Sequence, residues 1–497
     1  MNSSHTSDYD IIFLGGGISA SLFAISLGRK IPELKMMIVE EKAVFPHKVG
    51  ESLSDIAALF LNRFEIDELL DKHIPKAGLR FLFQEPRADN KSNIQEFSSP
   101  SLPGVASGRH LRRDSFDEDL LEEAASLGIE VMRPASVTGI EVHPFSSRIQ
   151  LAYEGSNHSF QSTWVVDVTG RRQFLSHQMD WKQEELPIRT GAIIAHFHST
   201  QEVKHDPPPS RQWTRAIAPP SQATIHFLKK GCWWYHISLD DHTSSIGLVY
   251  HQEQIKVEDP AQFFEQLLQS DAQLQAITAG ASRGMIRHLP QLAFVGQQLY
   301  DEGIILLGDA CGFVDPMFSP GLEFTCQQIS WLTDLLTAYF SSRQMNSKRW
   351  RRYEKTFRQA YLDRARQFDM NYRLMFSYDL FSNWAQMGIF AYFTFSVLPA
   401  VKFPRLIRYP LRFNLFSRMA FRFFRWRYLS IAQKRMSDGR VSSSLPQPVV
   451  YSYVSVPQGI GFYFKPLHLA WNWLINYLRI EWTELLRFVK TKKGSLD

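Results

Sequence analysis

Two stretches of this chain carry residue types at a spacing that suits chemistry. The first is Gly15-Gly16-Gly17-Ile18-Ser19-Ala20, which follows the apolar run DIIFL at 10–14. Gly15, Gly17 and Ala20 hold the G-x-G-x-x-G/A positions, and Glu40 ends the next apolar run, MMIVE, about 20 residues on. A first glycine permits a tight turn, and the second lets backbone approach a pyrophosphate. Ile18 and Ser19 open a helix whose free N–H groups and positive dipole end face that group. Glu40, with Glu41 beside it, is placed to accept hydrogen bonds from ribose. The second stretch is GDACGFVDPMFSPG at 308–321, directly after the apolar GIILL. Its glycines, acids and prolines read as a loop leaving a buried strand, where backbone N–H groups come close to a ligand. Gly308, Asp309, Pro316, Ser319, Gly321 and the following Leu322 are its candidate cofactor contacts. Pro320 has no N–H to offer.

The elements around these stretches alternate strand, turn, helix and strand, as a dinucleotide-binding unit requires. A length of 497 residues implies two or three sub-domains rather than one core. Hydrophobic content of 44% and charged content of 21% are those of a globular protein, and the 13% aromatic share suits one that buries flat ligands. A net charge of +5 gives no case for nucleic acid, and no recognition module is evident. Cys232, Cys311 and Cys326 have neither disulfide-framework nor metal-ligand spacing, so no metal is expected. The N-terminus MNSSHTSDYD lacks a secretory signal, which leads to the expectation of a cytoplasmic protein. No second G-x-G-x-x-G occurs, so a single dinucleotide is expected, with reducing power brought from outside.

Further motifs follow in order: FPHKVGES at 45–52, PKAGLRF at 75–81, LRRDSFDEDL at 111–120 and VVDVTG at 165–170, then the 308–321 loop. This series resembles the FAD-dependent halogenases, within the para-hydroxybenzoate hydroxylase type of flavoprotein monooxygenase, over roughly residues 8–380. The phenol and pyrrole halogenases are more similar than the tryptophan ones. The resemblance implies an α/β (α+β) fold: a Rossmann-type FAD-binding domain with an inserted antiparallel substrate-side sheet and a helical C-terminal region. We place the FAD domain at 8–50, 105–180 and 295–340, the substrate-side sheet at 50–104 and 181–294, and the basic, aromatic helical region at 341–497. It also implies an FAD-dependent oxidoreductase that uses reduced FAD and O2 to halogenate or hydroxylate an electron-rich phenol, pyrrole or indole, free or held on a carrier or protein. Electrons would come from a separate flavin reductase or from NAD(P)H.

The resemblance assigns roles residue by residue. Glu51 and Ser52 would touch the flavin, against the plainer reading of a capped helix start. Arg113 would reach the FAD phosphates or ribityl chain, against an exposed salt bridge with Asp117. Asp309 would bind the ribityl–pyrophosphate region. Lys76 would meet hypohalous acid, because a desolvated lysine readily loses its proton; the rival is an ordinary surface lysine. Lys76 and Glu51 are thus the catalytic candidates. Trp233 and Tyr235 stand where the family has Trp-x-Trp-x-Ile-Pro and would wall flavin from substrate.

Two features depart from the family. Backbone N–H groups of the last two loop residues hold halide there, and here the first of them is Pro320. Each charge-assisted bond is worth about 1.5–3 kcal/mol, so its loss favours hydroxylation over halogenation. The tail also differs: from Leu380 to Ser437 there is no Asp or Glu, and Arg alternates with aromatics. The stretch 380–437 suits a lid, a partner protein or a peripheral membrane contact. Two other functions share this fold class. One is reduction of an isoprenoid or other lipid at a membrane surface, and the other is FAD binding without turnover. The segment HDPPPSRQW at 205–213 reads as a loop, and the last 30 residues as an amphipathic helix.

Overall fold

The computed structural model describes residues 8–85, 93–100, 108–201, 218–410, 415–439, 449–450 and 465–493; the 205–213 stretch lies outside them. Tyr9–Leu14 forms the strand expected of its apolar run, with Ile11 to Leu14 wholly buried. It is central to a parallel sheet in the order Ile304–Leu306, Ser156–Asp167, Tyr9–Leu14, Met36–Val39, Glu130–Met132. Near-continuous hydrophobic strands are what such a sheet needs, because helices cover its faces. Helix α1 (Ile18–Lys30) packs against α2 (Arg113–Ser126) and α3 (Pro320–Ser342). A 2.8 Å hydrogen bond between the Ser26 and Thr333 hydroxyls links α1 to α3.

A second sheet runs Thr190–His198, Thr243–His251, Cys232–Ser238, Ala223–Lys229, Gly78–Glu85, Asn93–Pro100. The pairs between these six strands are antiparallel except at the junction of Ala223–Lys229 with Gly78–Glu85, which is parallel; the short Val449–Val450 adds a second parallel pair on Asn93–Pro100. That junction joins two distant parts of the chain, so no hairpin dictates its direction. The run ATIHFL alternates as a half-buried strand does, yet all six residues are buried. The cause is a second layer. Ile225, Phe227 and Trp234 face a satellite core with Phe264, Leu268 and Leu274 from two covering helices, while Thr224 and His226 face the main cavity.

Helix α4 (Ser347–Leu374) is followed by α5 (Tyr378–Tyr392), which passes through a π-helical turn, Phe393–Val397, into Leu398–Lys402. Helices α6 (Leu415–Ser437) and α7 (Lys465–Lys493) complete the tail. Contacts between them rise in step, from Phe424 on Trp473 to Arg435 on Glu484, so they run parallel. Buried Arg435 also pairs with Asp379 at 2.8 Å, which pins both helices to the start of α5.

Candidate active site

A cavity of about 530 Å3 opens where α1 meets the ends of the parallel strands, the usual ligand position in such a sheet. Gly15, Gly17, Ile18, Ser19, Glu40 and Glu41 line one end of it. Gly15 has φ +106°, and a side chain there would meet the Val168 carbonyl at 2.8 Å. Gly17 caps α1 with no side-chain partner, which leaves the helix start to backbone N–H groups. Ala20 is buried one turn into α1 and lines nothing. One Glu40 oxygen accepts from the Gly16 N–H at 2.7 Å, and the other from the Lys42 N–H at 2.9 Å.

Basic groups gather at the same end. Arg113 is buried, not exposed, and makes a two-pronged pair with Asp117 at 2.7 and 3.0 Å while lining the cavity. The Asp117 salt bridge is thus present but buried rather than exposed. Burial opposes the Arg113 charge, and Asp117 together with Glu51 and Asp309 more than offsets it, holding the guanidinium above its ordinary value. Lys48, within the FPHKVGES segment, pairs with Asp117 as well. Its Nζ lies 3.1 Å from where a Gly17 side chain would start, so it overhangs the α1 N-terminus. Burial pulls its ammonium below the ordinary lysine value, against the pull of Asp117.

The far wall comes from the 308–321 loop and the second sheet. Gly308 ends the strand with φ +64° and is buried behind the cavity, while Asp309 faces it. Burial raises the Asp309 carboxyl, opposed by Arg171, Arg113 and Lys48. Pro316, Ser319, Gly321 and Leu322 also line the cavity. Phe318 and Ser319 both adopt left-handed backbone, at φ +64° and +57°, an uncommon pair for residues with side chains. The Ser319 hydroxyl donates to Ser52 at 3.1 Å, and Ser52 in turn reaches Thr224 at 3.0 Å. Glu51 lies beside it, 2.6 Å from His196 Nε2. Glu51 and Ser52 are not a helix cap; Ser54 caps the next helix. Trp233 and Tyr235 alternate with Trp234 and present their side chains to this cavity. The Trp233 N–H donates to Tyr372 at 2.7 Å, and Tyr372 donates to Asp315 at 2.8 Å. His236 instead bonds Ser244 and is a strand-core histidine, lowered to about 4 by burial.

Lys76 lies outside this cavity. It lines a second, smaller one of about 50 Å3 with Asp55, Phe318, Glu323, Arg364 and Tyr392. It is no surface lysine: only 6% of it is exposed, and its Nζ donates to the Leu53 carbonyl at 2.8 Å. Burial lowers its ammonium to about 8, with Asp55 pulling the other way. Glu323 is buried, raised by desolvation, and faces Arg364 at 3.3 Å. The loop at 316–321 divides the two spaces: Phe318 faces the small one, and Ser319 and Gly321 the large one. Glu323 was detectable only as the acid next to the loop. Asp55, Arg364 and Tyr392 come from three further segments with no shared motif.

The large cavity fits FAD. It joins a glycine turn closed to side chains, a cationic helix start and an acid at ribose distance along the chain. It also has a buried carboxyl facing the space. The second cavity adds a desolvated amine across a strained loop.

Comparison with known proteins agrees with this geometry. The sequence model of the tryptophan halogenase family matches residues 10–102 and 84–375. A 1H-pyrrole-2-carbonyl-[peptidyl-carrier protein] chlorinase from Pseudomonas fluorescens is 23% identical over 336 residues, 64% of this chain and 73% of the relative. A tryptophan 2-halogenase from Chondromyces crocatus is 24% identical over 336 residues, 63% of this chain and 58% of the relative. The chain thus spans less than two thirds of that second protein. The solved structure of halogenase PltM in complex with phloroglucinol and FAD shares the fold, with a TM-score of 0.73 at 19% identity, covering 87% of this chain and 93% of that one. The motif order, the cavity and the match over most of the chain lead to one assignment: this protein is a flavin-dependent enzyme of the tryptophan halogenase family.

Proposed function

We propose that this chain uses reduced FAD and O2 to halogenate an electron-rich aromatic, with Lys76 handling the electrophile. The observation that carries this reading is the placement of Lys76, buried in a second cavity across the 316–321 loop from the dinucleotide cavity. The relatives support the substrate class: one acts on a carrier-bound pyrrole, one on tryptophan, and one was solved with phloroglucinol. A phenol, pyrrole or indole, free or carrier-bound, is the substrate class, and a separate flavin reductase or NAD(P)H supplies the electrons.

The α1 start, Lys48 and Arg113 hold the pyrophosphate of FAD, Glu40 its ribose, and Asp309 its ribityl region. Bound FAD supplies the reduction of O2 whose product oxidises halide. Trp233 and Tyr235 line the flavin cavity, and Trp233 is tied through Tyr372 to Asp315 of the loop, so the two help wall the ring from the flavin. Neutral Lys76 Nζ takes the halogen from hypohalous acid, forming an N–halogen bond and releasing water. The ring takes the halogen from nitrogen and loses a proton, which must reach that nitrogen to restore the amine. Glu323, on the same cavity, is the carboxylate that takes the ring proton and passes it to the Lys76 nitrogen. The protonated amine would instead donate a hydrogen bond to hypohalous acid, and pH separates the two.

Pro320 favours a second reading, direct hydroxylation without halide. Rapid mixing of the photoreduced holoprotein with oxygenated buffer, with and without bromide and a phenol trap, decides between them. Bromide-dependent bromophenol is expected. Bromide-independent hydroxylated phenol would replace halogenation with hydroxylation, and peroxide alone with every aromatic offered would overturn both.

A further inference from the structure

We propose that the outer faces of α6 and α7 form a docking surface for an anionic lipid bilayer. The surface pattern of the whole molecule points there. Among the described residues fifteen large hydrophobic side chains are exposed, and only Val44, Leu127 and Met285 precede Phe395; the other twelve lie between Phe395 and Leu486. Scattered exposed apolar residues need no explanation, but this concentration does.

The exposed residues follow helical spacing. On α6 Met419, Phe423 and Trp426 recur at i, i+4 and i+7, with Trp426 62% exposed, and Met436 is exposed off this stripe. On α7 they are Trp471, Leu478, Trp482, Leu485 and Leu486, at i, i+7, i+11, i+14 and i+15, with both tryptophans 61% exposed. These stripes are not unfilled core positions. The core faces are already satisfied: Phe424 packs edge-on against Trp473 and Tyr477, Arg427 pairs with Glu481, and Arg435 joins Asp379 and Glu484. Each helix therefore has an inner face that is used and an outer stripe that is apolar.

Charge selects the occupant. Helix α6 carries Arg418, Arg422, Arg425, Arg427, Lys434 and Arg435 and no acid. Helix α7 carries six Lys and Arg against Glu481 and Glu484, and both acids pair inward with α6 arginines. Arg418 and Arg425 lean toward Asp363 and Asp369 of α4, whereas Arg422 and Arg479 stand exposed on the outside. Tryptophan among arginines is the composition of a helix lying at the headgroup level of an anionic leaflet, rings in the boundary and guanidinium groups on phosphate. A second copy would bring the same positive charge to the interface.

The chain lies on the bilayer rather than crossing it. Tyr378–Lys402 is the one stretch among the described residues long and apolar enough to span, but its first nine residues are buried against the body. Its later turns expose Phe395, and Phe403 just after its end is exposed too, while Ile389, Tyr392 and Phe393 line the Lys76 cavity. Docking would therefore hold one wall of that cavity close to the membrane.

The test uses the full-length FAD-loaded protein and flotation with phosphatidylcholine vesicles, with or without phosphatidylglycerol. Binding is expected with phosphatidylglycerol, falling at least about tenfold at high salt or without the anionic lipid. The variant Trp426→Ser/Trp471→Ser/Trp482→Ser should lose binding at least about tenfold while keeping its flavin absorbance, as should Arg422→Glu/Arg479→Glu. No binding to anionic vesicles, or equal binding by variants and parent, overturns the proposal. So does a dimer, seen by light scattering, that ignores vesicles and dissociates in the tryptophan variant, which would assign the surface to a second copy.

Discussion

A lysine amine near pH 8 exists in both protonation states close to neutrality, and Lys76 is brought there by burial rather than by a neighbouring cation. If the neutral amine takes the halogen, product formed per O2 consumed rises as pH passes upward through about 8; if the ammonium donates a hydrogen bond, it falls. Lys76→Met should lower halogenated product at least about 100-fold while O2 consumption persists. The same change has a signed effect on stability. The unfolded lysine keeps its proton up to 10.5 but the folded one only to about 8, so between those values unfolding takes up a proton and wild-type stability rises with pH. Below that window the buried charge penalises the fold by on the order of 3 kcal/mol. Lys76→Met should be the more stable protein at neutral pH, with its advantage shrinking toward pH 10.5 in urea titrations. Parallel stability curves would show that Lys76 does not titrate as a buried group. Its motif made Lys76 legible in the sequence. Its cavity partners were not, because Asp55, Glu323, Arg364 and Tyr392 meet only when four segments fold together.

Elements with a strong local signal were readable. The strand at 10–14, the glycine turn, α1 and the strand ending at Glu40 each combine periodicity with a special residue, and such signals act over a few positions. The parallel junction in the second sheet depends on partners more than 100 residues away, such as Leu79 opposite Thr224, and the covering layer behind Ile225 and Phe227 on helices that follow the whole sheet hairpin. The 308–321 loop lies between these cases. Its composition announces a ligand loop, but composition does not reveal that Phe318 and Ser319 are both left-handed or that Pro320 opens α3. At that first helical position a proline removes only one of four unpaired N–H groups and presets the helix, so the Gly321 N–H and the helix dipole remain beside the cavity. The deficit is one donor. Pro320→Ser restores it and also relieves the constraint that proline places on Ser319. The expected result is bromide binding about tenfold tighter, read from bromide quenching of flavin fluorescence, with the ratio of brominated to hydroxylated product rising. An unchanged affinity would place halide away from the α3 start.

At the scale of the whole molecule, the tail is tied to the reaction space through one buried cation. Arg435 has no exposure and holds Asp379 of α5 and Glu484 of α7 at 2.8 and 2.9 Å, so three helices meet at a single guanidinium. The inner turns of the same α5 segment bring Ile389 and Tyr392 to the Lys76 cavity. The acid-free stretch suggested a lid, a partner or a membrane contact from its composition alone. The structure folds it onto the body, because the acids that neutralise its arginines lie elsewhere: Asp363, Asp369 and Asp379 before it, Glu481 and Glu484 after it. Removing one member of a buried ion cluster costs about 3–5 kcal/mol, because the remaining charges stay desolvated. In Arg435→Met that cost falls on the seam between tail and body, whereas the parallel sheet and the α1 start lie far from it. The tail should therefore open before the FAD site does. Limited proteolysis of the variant is expected to cut within α6 (Leu415–Ser437) at protein concentrations and temperatures where that helix resists in the parent, while flavin absorbance and flavin retention stay unchanged. Halogenated product should fall even so, because the cavity wall moves with α5. Loss of flavin in step with proteolysis would show instead that tail and FAD domain unfold as one unit, with Arg435 a support of the entire fold.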